Sequence, residues 1–198
     1  MSRVAIIENG GANIASLRFA LERLGCAPEL TSDARIIRAA THVVLPGVGA
    51  AADGMARLRA RGLDQLIPGL EQPVLGICLG MQLLYEASEE GNVSCLGAWP
   101  GTAKRFTPAP GRPVPHMGWN RLQCRNNGDL LDGLDDNAYA WFAHGYALPV
   151  SVETLATAEY GRQFSAVVAQ RNFYGVQFHP ERSGDAGAAL LRNFLALG

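Results

Sequence analysis

The most informative segment of the 198-residue sequence is Pro73-Val74-Leu75-Gly76-Ile77-Cys78-Leu79-Gly80-Met81-Gln82. An apolar run typical of a buried strand leads into Gly-x-Cys-x-Gly, and helix-forming residues follow. This order predicts a strand, a sharp turn at the cysteine and then a helix, which is the cysteine form of the nucleophile elbow. Side chains in place of Gly76 and Gly80 would crowd such a turn and the neighbouring strand.

The chemistry of such a turn has to be weighed against simple packing, because a cysteine in an apolar run is more often a core residue than a nucleophile. The glycine frame favours the nucleophile, since a helix N-terminus beside the sulfur stabilises negative charge and therefore the reactive thiolate. The backbone N–H of Leu79 is then placed to donate to an oxyanion. Cys26, Cys95 and Cys124 lack this frame, and we interpret them as structural.

Short apolar strands and amphipathic helices alternate through the first half of the chain. The periodicity predicts strands at residues 3–7, 27–31, 41–45 and 73–77, and helices at 13–24, 33–38, 50–61 and 79–87. Residues 95–174 are rich in Pro, Gly and short strand-like runs, which predicts antiparallel strands, before a final strand at 176–178 and a helix at 185–197. The predicted fold class is α/β: a doubly wound, mostly parallel sheet with helices on both faces, plus antiparallel strands in the second half.

The composition predicts one globular domain over residues 1–198, with 48% apolar residues, 18% charged residues and a net charge of −1. Nothing in this charge balance predicts a nucleic-acid or membrane partner. The first apolar run is too short for a signal peptide, so we expect a soluble, cytoplasmic protein. No Cys/His spacing predicts a metal site, and we expect no cofactor.

A base for Cys78 is predicted in the run Gly175-Val176-Gln177-Phe178-His179-Pro180-Glu181. His179 follows an apolar strand, and the carboxyl ends of parallel strands meet at one edge of a sheet, where Cys78 also emerges. Glu181 is close enough in sequence to hold the imidazole in one tautomer, as the third member of a triad. Taken alone, the pair reads more simply as a surface histidine and a solvated carboxylate, and it is Cys78 that favours catalysis.

A second source of oxyanion donors is predicted at the end of the third strand, in Leu45-Pro46-Gly47-Val48-Gly49. Glycines allow backbone turns that point N–H groups inward. A plain tight turn is the simpler reading, and a phosphate loop is excluded because no Gly-x-x-x-x-Gly-Lys is present.

Together these segments resemble class I, triad-type glutamine amidotransferases of flavodoxin-like fold and, within them, the glutaminase subunits of imidazole glycerol phosphate synthases. The resemblance runs through almost the whole chain. It rests on Asn13 with Ser16, Pro46-Gly47-Val48-Gly49, Gly76 to Leu84, Pro115-His116-Met117-Gly118-Trp119-Asn120 and Gly175 to Gly184.

The resemblance also implies residue roles and a partner. It implies Cys78 as nucleophile, His179 as acid and base and Glu181 as its orienter; Gly47, Val48, Gly49 and Leu79 as oxyanion hole; Gln82, His144 and Gly145 at the glutamine; and Asn13, Trp119 and Arg182 toward the partner. That partner is a barrel-shaped cyclase subunit, which forms a heterodimer with the glutaminase and uses its ammonia in histidine biosynthesis.

One position departs from the family pattern. Family members often have Val-His-Ser-Tyr where this chain has Ala143-His144-Gly145-Tyr146, so only a backbone contact to glutamine is expected at Gly145.

Two alternatives stay open. One is another hydrolase of similar fold, either the glutaminase subunit of pyridoxal phosphate synthase or a cysteine peptidase, and the run Pro115 to Asn120 argues against both. The other is a non-catalytic binding module, which the complete triad disfavours.

Overall fold

The computed structural model describes residues 2–10, 14–125 and 128–198. Its strands are β1 (Val4–Ile7), β2 (Glu29–Thr31), β3 (His42–Gly47), β4 (Val74–Cys78), β5 (Tyr85–Ser88), β6 (Val93–Ser94), β7 (Trp99–Arg105), β8 (His116–Arg121), β9 (Gln123–Cys124), β10 (Tyr139–His144), β11 (Tyr146–Ala147), β12 (Thr154–Glu159), β13 (Gln163–Gln170) and β14 (Phe173–Val176). Its helices are α1 (Ile14–Arg23), α2 (Ala34–Ala39), α3 (Ala51–Ala60), α4 (Leu63–Leu66), α5 (Leu79–Leu83) and α6 (Gly184–Leu195), with short 3₁₀ turns at Ile67–Gly69, Asp129–Leu131 and Pro180–Arg182.

The main sheet has eight strands in the order β2-β1-β3-β4-β14-β13-β12-β9. The first five are parallel, and β13, β12 and β9 continue the sheet in antiparallel fashion. This order, 2-1-3-4 with a fifth parallel strand, is that of doubly wound flavodoxin-like sheets. The predicted fold class is therefore confirmed.

Helices cover both faces of this sheet because alternate strand residues point to opposite sides. In β1, Val4 and Ile6 belong to a core that includes α1 and α6, whereas Ala5 and Ile7 belong to a core that includes α2, α3, α4 and α5. All four residues are at most 2% exposed. The continuous apolar runs in the sequence thus reflect strands that are buried on both faces.

Two smaller sheets pack beside the main one. β8 and β10 form an antiparallel ribbon, and β11, β7, β5 and β6 form a four-stranded sheet. Within the described ranges, no helix is both long and apolar enough to cross a bilayer.

The predicted helix at 79–87 is wrong beyond residue 83. Residues 85–88 form strand β5, which pairs with β7 and β6. The carbonyls of Leu83, Leu84 and Tyr85 accept hydrogen bonds from the N–H groups of Leu96, Trp99 and Gly97, respectively, at 2.9–3.1 Å. These long-range bonds take carbonyls that a helix would use, and such tertiary partners override local helix propensity.

Other predicted elements are found with shifted ends, and one helix was missed. The helix predicted at 33–38 is α2, and Asp33 caps it, since the Asp33 carboxylate accepts from the Arg35 backbone N–H at 2.7 Å. The predicted strand at 176–178 lies earlier, in β14, and β3 continues through Pro46 to Gly47. Helix α4 was not predicted, because its four residues are too few to show a helical period.

Candidate active site

The candidate site lies at the carboxyl edge of the three central strands. Gly47 at the end of β3 pairs with Cys78 at the end of β4. On the other side of β4, Val176 of β14 pairs with Ile77, so the chain that continues to His179 reaches the same edge. The sheet topology therefore brings together three segments that are far apart in sequence.

Cys78 occupies a strained backbone position between β4 and α5. Its φ of 53° and ψ of −109° are unusual for a residue with a side chain, and strain of this kind clusters at functional sites. The turn closes tightly because two glycines flank it. A Cβ on Gly80 would overlap the Leu45 carbonyl of β3, and one on Gly76 would lie 2.7 Å from the Met81 nitrogen.

His179 and Glu181 form a buried pair beside Cys78. The His179 Nδ1 lies 2.9 Å from Glu181 Oε1, and the two side chains are 9% and 3% exposed. Burial lowers the pKa of His179, but hydrogen bonds and charge interactions with Cys78 and Glu181 outweigh burial and raise the pKa to about 10. The imidazole is therefore protonated at neutral pH, with its charge between the Cys78 sulfur and the Glu181 carboxylate.

Backbone contacts hold the His-Pro-Glu turn against the β8–β10 ribbon. The His179 N–H donates to the Trp141 carbonyl at 2.9 Å. The Ser183 hydroxyl donates to the His179 carbonyl at 2.7 Å and accepts from the Trp141 N–H at 2.9 Å. Because Trp141 lies in β10, the position of the imidazole depends on that strand.

A cavity of about 440 Å³ lies beside Cys78, which is one of its lining residues. Its lining includes these residues named from the sequence: Val48, Gly49, Cys78, Leu79, Gln82, His144, Gly145, His179 and Arg182. Gly47 and Glu181 line a much smaller cavity behind the site, which His179 and Val48 also border. Trp119 lies outside both cavities, and Asn13 lies outside the described residues.

Gln82 has both of its amide hydrogens engaged within the protein. Its Nε2 lies 2.8 Å from the Tyr146 carbonyl and 2.9 Å from Gln177 Oε1. The Gln177 Nε2 in turn lies 3.8 Å from the Cys78 sulfur. In this arrangement Gln82 has only its side-chain oxygen left for a ligand in the cavity, and that oxygen is an acceptor.

Three residues of the site were not given a role from the sequence: Glu90 and Tyr146, which line the cavity, and Gln177, whose amide lies 3.8 Å from the Cys78 sulfur. Glu90 lines the cavity and accepts from the Ala51 N–H at 2.9 Å, at the start of α3. Burial raises the pKa of Glu90, while that hydrogen bond opposes the shift. Gln177 carried a usable signal, as a polar residue within an apolar strand end, whereas Glu90 lies in a turn that gave none.

A group of large side chains covers the outer face of the β8–β10 ribbon. Trp119 is 53% exposed, and its ring meets that of Trp141 edge-on at 5.8 Å. The Arg182 guanidinium lies 5.1 Å from the centre of the Trp141 ring. Because Arg182 also lines the cavity, this aromatic face and the cavity share a border.

Comparisons of the sequence with a family model and with individual proteins agree with each other. The family model for "Glutamine amidotransferase class-I" matches residues 5–197. The imidazole glycerol phosphate synthase subunit HisH of Xanthomonas campestris pv. campestris is 53% identical over 197 residues, covering 100% of this chain and 98% of that protein. The protein of the same name from Xylella fastidiosa strain 9a5c is 50% identical with the same coverage.

Solved structures agree on the fold. A Thermoplasma acidophilum protein described as part of a GMP synthase superposes with a TM-score of 0.76 and 18% identity, over 99% of this chain and 93% of that one. A structure of a glutamine amidotransferase gives a TM-score of 0.74, also at 18% identity, over 98% of this chain and 97% of that one.

Proposed function

The chain belongs to the class I glutamine amidotransferase family, and on that premise we propose that it is the glutaminase subunit of an imidazole glycerol phosphate synthase. It hydrolyses glutamine to glutamate and ammonia. The observation that carries this proposal is that Cys78 and His179 line the same cavity, with His179 in a buried pair with Glu181.

The first chemical step is attack of the Cys78 thiolate on the side-chain carbonyl carbon of glutamine. The carbonyl oxygen takes up the negative charge of the tetrahedral intermediate. We assign its stabilisation to N–H groups of Leu79 and of the loop Gly47, Val48 and Gly49, which lie at the same sheet edge as Cys78. Loss of one such donor typically costs about 3 kcal/mol in transition-state stabilisation.

His179 then acts as the acid. Its raised pKa means that the resting imidazolium already carries the proton that departing ammonia needs. The C–N bond breaks, ammonia leaves and a glutamyl thioester remains on Cys78. The sulfur is now neutral, so the interactions with Cys78 that favoured the imidazolium are lost, and the neutral imidazole can accept a proton from water. That water attacks the thioester, releases glutamate and restores the thiolate.

The cavity offers polar groups for the rest of the substrate. We assign the α-ammonium group of glutamine to the Glu90 carboxylate, an acidic group in the cavity lining. The Gln82 side-chain oxygen is available to accept from glutamine N–H groups, and the backbone at His144 and Gly145 offers further contacts. Gly145 retains this backbone role without a side-chain hydroxyl.

We further propose that the ammonia passes to a barrel-shaped cyclase subunit in a heterodimer, which makes imidazole glycerol phosphate and aminoimidazole carboxamide ribotide. The relatives are named as a subunit of a synthase, which supports the proposal that this chain also has a partner subunit. The face formed by Trp119 and Arg182 is the proposed partner surface, with Asn13. Residues 1–198 act as a single amidotransferase domain, a proposal supported by β14 from the last third of the chain lying beside β4.

The deciding experiment is Cys78→Ala in the complex with the cyclase. Glutamine-dependent synthesis should be abolished, while synthesis from added ammonium salt should persist at the wild-type rate. Cys95→Ala is the matched control and should retain both activities, because Cys95 lies outside the cavity lining and burial raises its pKa to about 11. Glutamine hydrolysis that survives Cys78→Ala would refute the proposed nucleophile.

A further inference from the structure

Two buried histidines have side chains that take no part in the proposed chemistry. One of them lines the cavity, and the other is paired with it. His116 of β8 and His144 of β10 are paired across the ribbon and are 4% and 5% exposed. Burial lowers the pKa of His116 to about 4 and that of His144 to about 3, so both rings are neutral at physiological pH. A neutral imidazole has one donor and one acceptor nitrogen, and its neighbours decide which is which.

The surroundings of His144 fix its proton on Nδ1. That nitrogen lies 2.8 Å from the Tyr146 carbonyl, which can only accept. The Nε2 of His144 is therefore the acceptor, and it lies 3.4 Å from Nδ1 of His116. His116 must then also carry its proton on Nδ1.

The Nε2 of His116 faces a donor of fixed orientation. It lies 3.4 Å from Nδ2 of Asn120. The Asn120 amide cannot be reversed, because its oxygen accepts from the Arg121 N–H at 2.8 Å and its nitrogen donates to the Glu159 carbonyl at 2.8 Å. The hydrogen bonds thus run in one direction, from Asn120 through His116 and His144 to Tyr146.

At its Tyr146 end, this series of hydrogen bonds connects to residues beside the Cys78 sulfur. The Tyr146 carbonyl that His144 holds also accepts from Gln82. Gln82 holds Gln177, whose amide nitrogen lies 3.8 Å from the Cys78 sulfur. The carbonyl of Tyr146 is therefore the junction between the histidine pair and the glutamine cavity.

At its other end, the series of hydrogen bonds begins in strand β8, which also contains exposed apolar residues. Met117 and Trp119 of β8 are 67% and 53% exposed, and they flank Gly118 immediately after His116. The His116 ring is stacked at 4.0 Å on Tyr160 and at 5.2 Å on Phe142. A phenylalanine could satisfy this packing, so the hydrogen bonds of His116 need a separate explanation.

We propose that His116 is a positioning residue for the glutaminase: through His144 and the Tyr146 carbonyl, it fixes the glutamine-binding wall of the cavity relative to β8. The kinetic consequence of this inference rests on the proposed function. The hydrogen bonds themselves do not depend on it.

The kinetic test compares two substitutions in the complex with the cyclase. His116→Phe keeps the ring stacking but removes both hydrogen bonds, and it should raise KM for glutamine about tenfold with a smaller change in kcat. His116→Asn retains a donor near the position of Nδ1 and should restore most of the KM. His42→Phe, which removes a buried histidine at the opposite end of β3 from Gly47, should leave KM unchanged.

A spectroscopic test is independent of activity. In ¹⁵N-labelled protein, both His116 and His144 should show the Nδ1–H tautomer, which is the minor form of free histidine. Nε2–H or imidazolium signals from either ring would overturn the proposal, as would an unchanged KM in His116→Phe when the wild type is active. A wild type without glutaminase activity would instead refute the proposed function, and the tautomers would still decide the hydrogen-bond chain.

Discussion

At the scale of single residues, burial and charge act on the pKa of His179 in opposite directions. Burial by itself favours the neutral ring and lowers the pKa, and Cys78 and Glu181 together raise it to about 10. Glu181 is 3% exposed, so its interaction with the ring is poorly screened by solvent. The carboxylate thus stabilises the imidazolium and, when the ring is neutral, keeps the remaining proton on Nδ1.

Glu181→Gln is expected to lower kcat by a factor on the order of 10²–10⁴, because the ring loses its charged partner and its orientation. KM should change little, since Glu181 lies behind the ring and does not line the glutamine cavity. Steady-state glutaminase assays of the complex measure both constants, and NMR titration should show a lower His179 pKa. The exposed Glu71→Gln serves as control. A wild-type kcat in Glu181→Gln would contradict the triad.

At the scale of elements, the turn from β4 to α5 depends on close contact between α5 and β3. The absence of a side chain at Gly80 lets the helix lie directly against the Leu45 carbonyl, and this places the start of α5 at the sheet edge. The Cys78 backbone, with a φ of 53°, is held in its unusual conformation by this packing.

Gly80→Ala should destabilise the protein by about 2 kcal/mol. Alanine improves helix propensity by about 1 kcal/mol, but the new methyl group would overlap the Leu45 backbone carbonyl of β3, and overpacking of this kind typically costs up to about 3 kcal/mol. Urea unfolding measures the difference. Gly69→Ala is the matched control, because a Cβ there meets nothing within 4 Å. Equal stability of the two variants would show that the close contact between Gly80 and the Leu45 carbonyl does not exclude a side chain at position 80.

At the scale of the whole molecule, the buried histidines make stability depend on pH in opposite directions. His116 and His144 have lowered pKa values, so their contribution to stability is present above pH 6.5 and is lost as the pH falls toward 4. His179 has a raised pKa, so its contribution is complete below pH 6.5 and is lost as the pH rises toward 10. We expect the contribution of these three groups to be greatest near pH 6.5.

The free energy of unfolding should therefore fall between pH 7 and pH 5, by up to about 2 kcal/mol for each of His116 and His144. In His116→Phe, this decrease in unfolding free energy should be smaller by the contribution of one histidine. The comparison holds whatever the absolute stability of the variant. Urea unfolding curves at both pH values test this. The same fall in the variant and in the wild type would mean that His116 is protonated equally easily in the folded and unfolded chains.

Assembly gives a further prediction at this scale. If the face around Trp119 binds the cyclase, Trp119→Ala should weaken the complex about 30-fold or more, because buried tryptophans are frequent interface hot spots. The free subunit should keep its stability, since the Trp119 side chain is half exposed. Titration calorimetry with the cyclase measures the affinity. Val152→Ala removes an apolar residue that is 89% exposed outside the ribbon, and it should bind like the wild type.

The sequence by itself determined the elbow, the alternation of strands and helices, and the shared sheet edge of Cys78, Gly47 and His179. These features follow from short-range patterns: glycine spacing, apolar periodicity and the order of elements along the chain. Only the tertiary structure decided that residues 85–88 form a strand, that Glu90 lines the cavity, that the Gln177 amide lies 3.8 Å from the Cys78 sulfur, and that His116 is paired with His144. Each of these depends on hydrogen bonds or burial between segments distant in sequence, which local spacing does not reveal; at Gln177 the sequence shows only a polar residue in an apolar strand end.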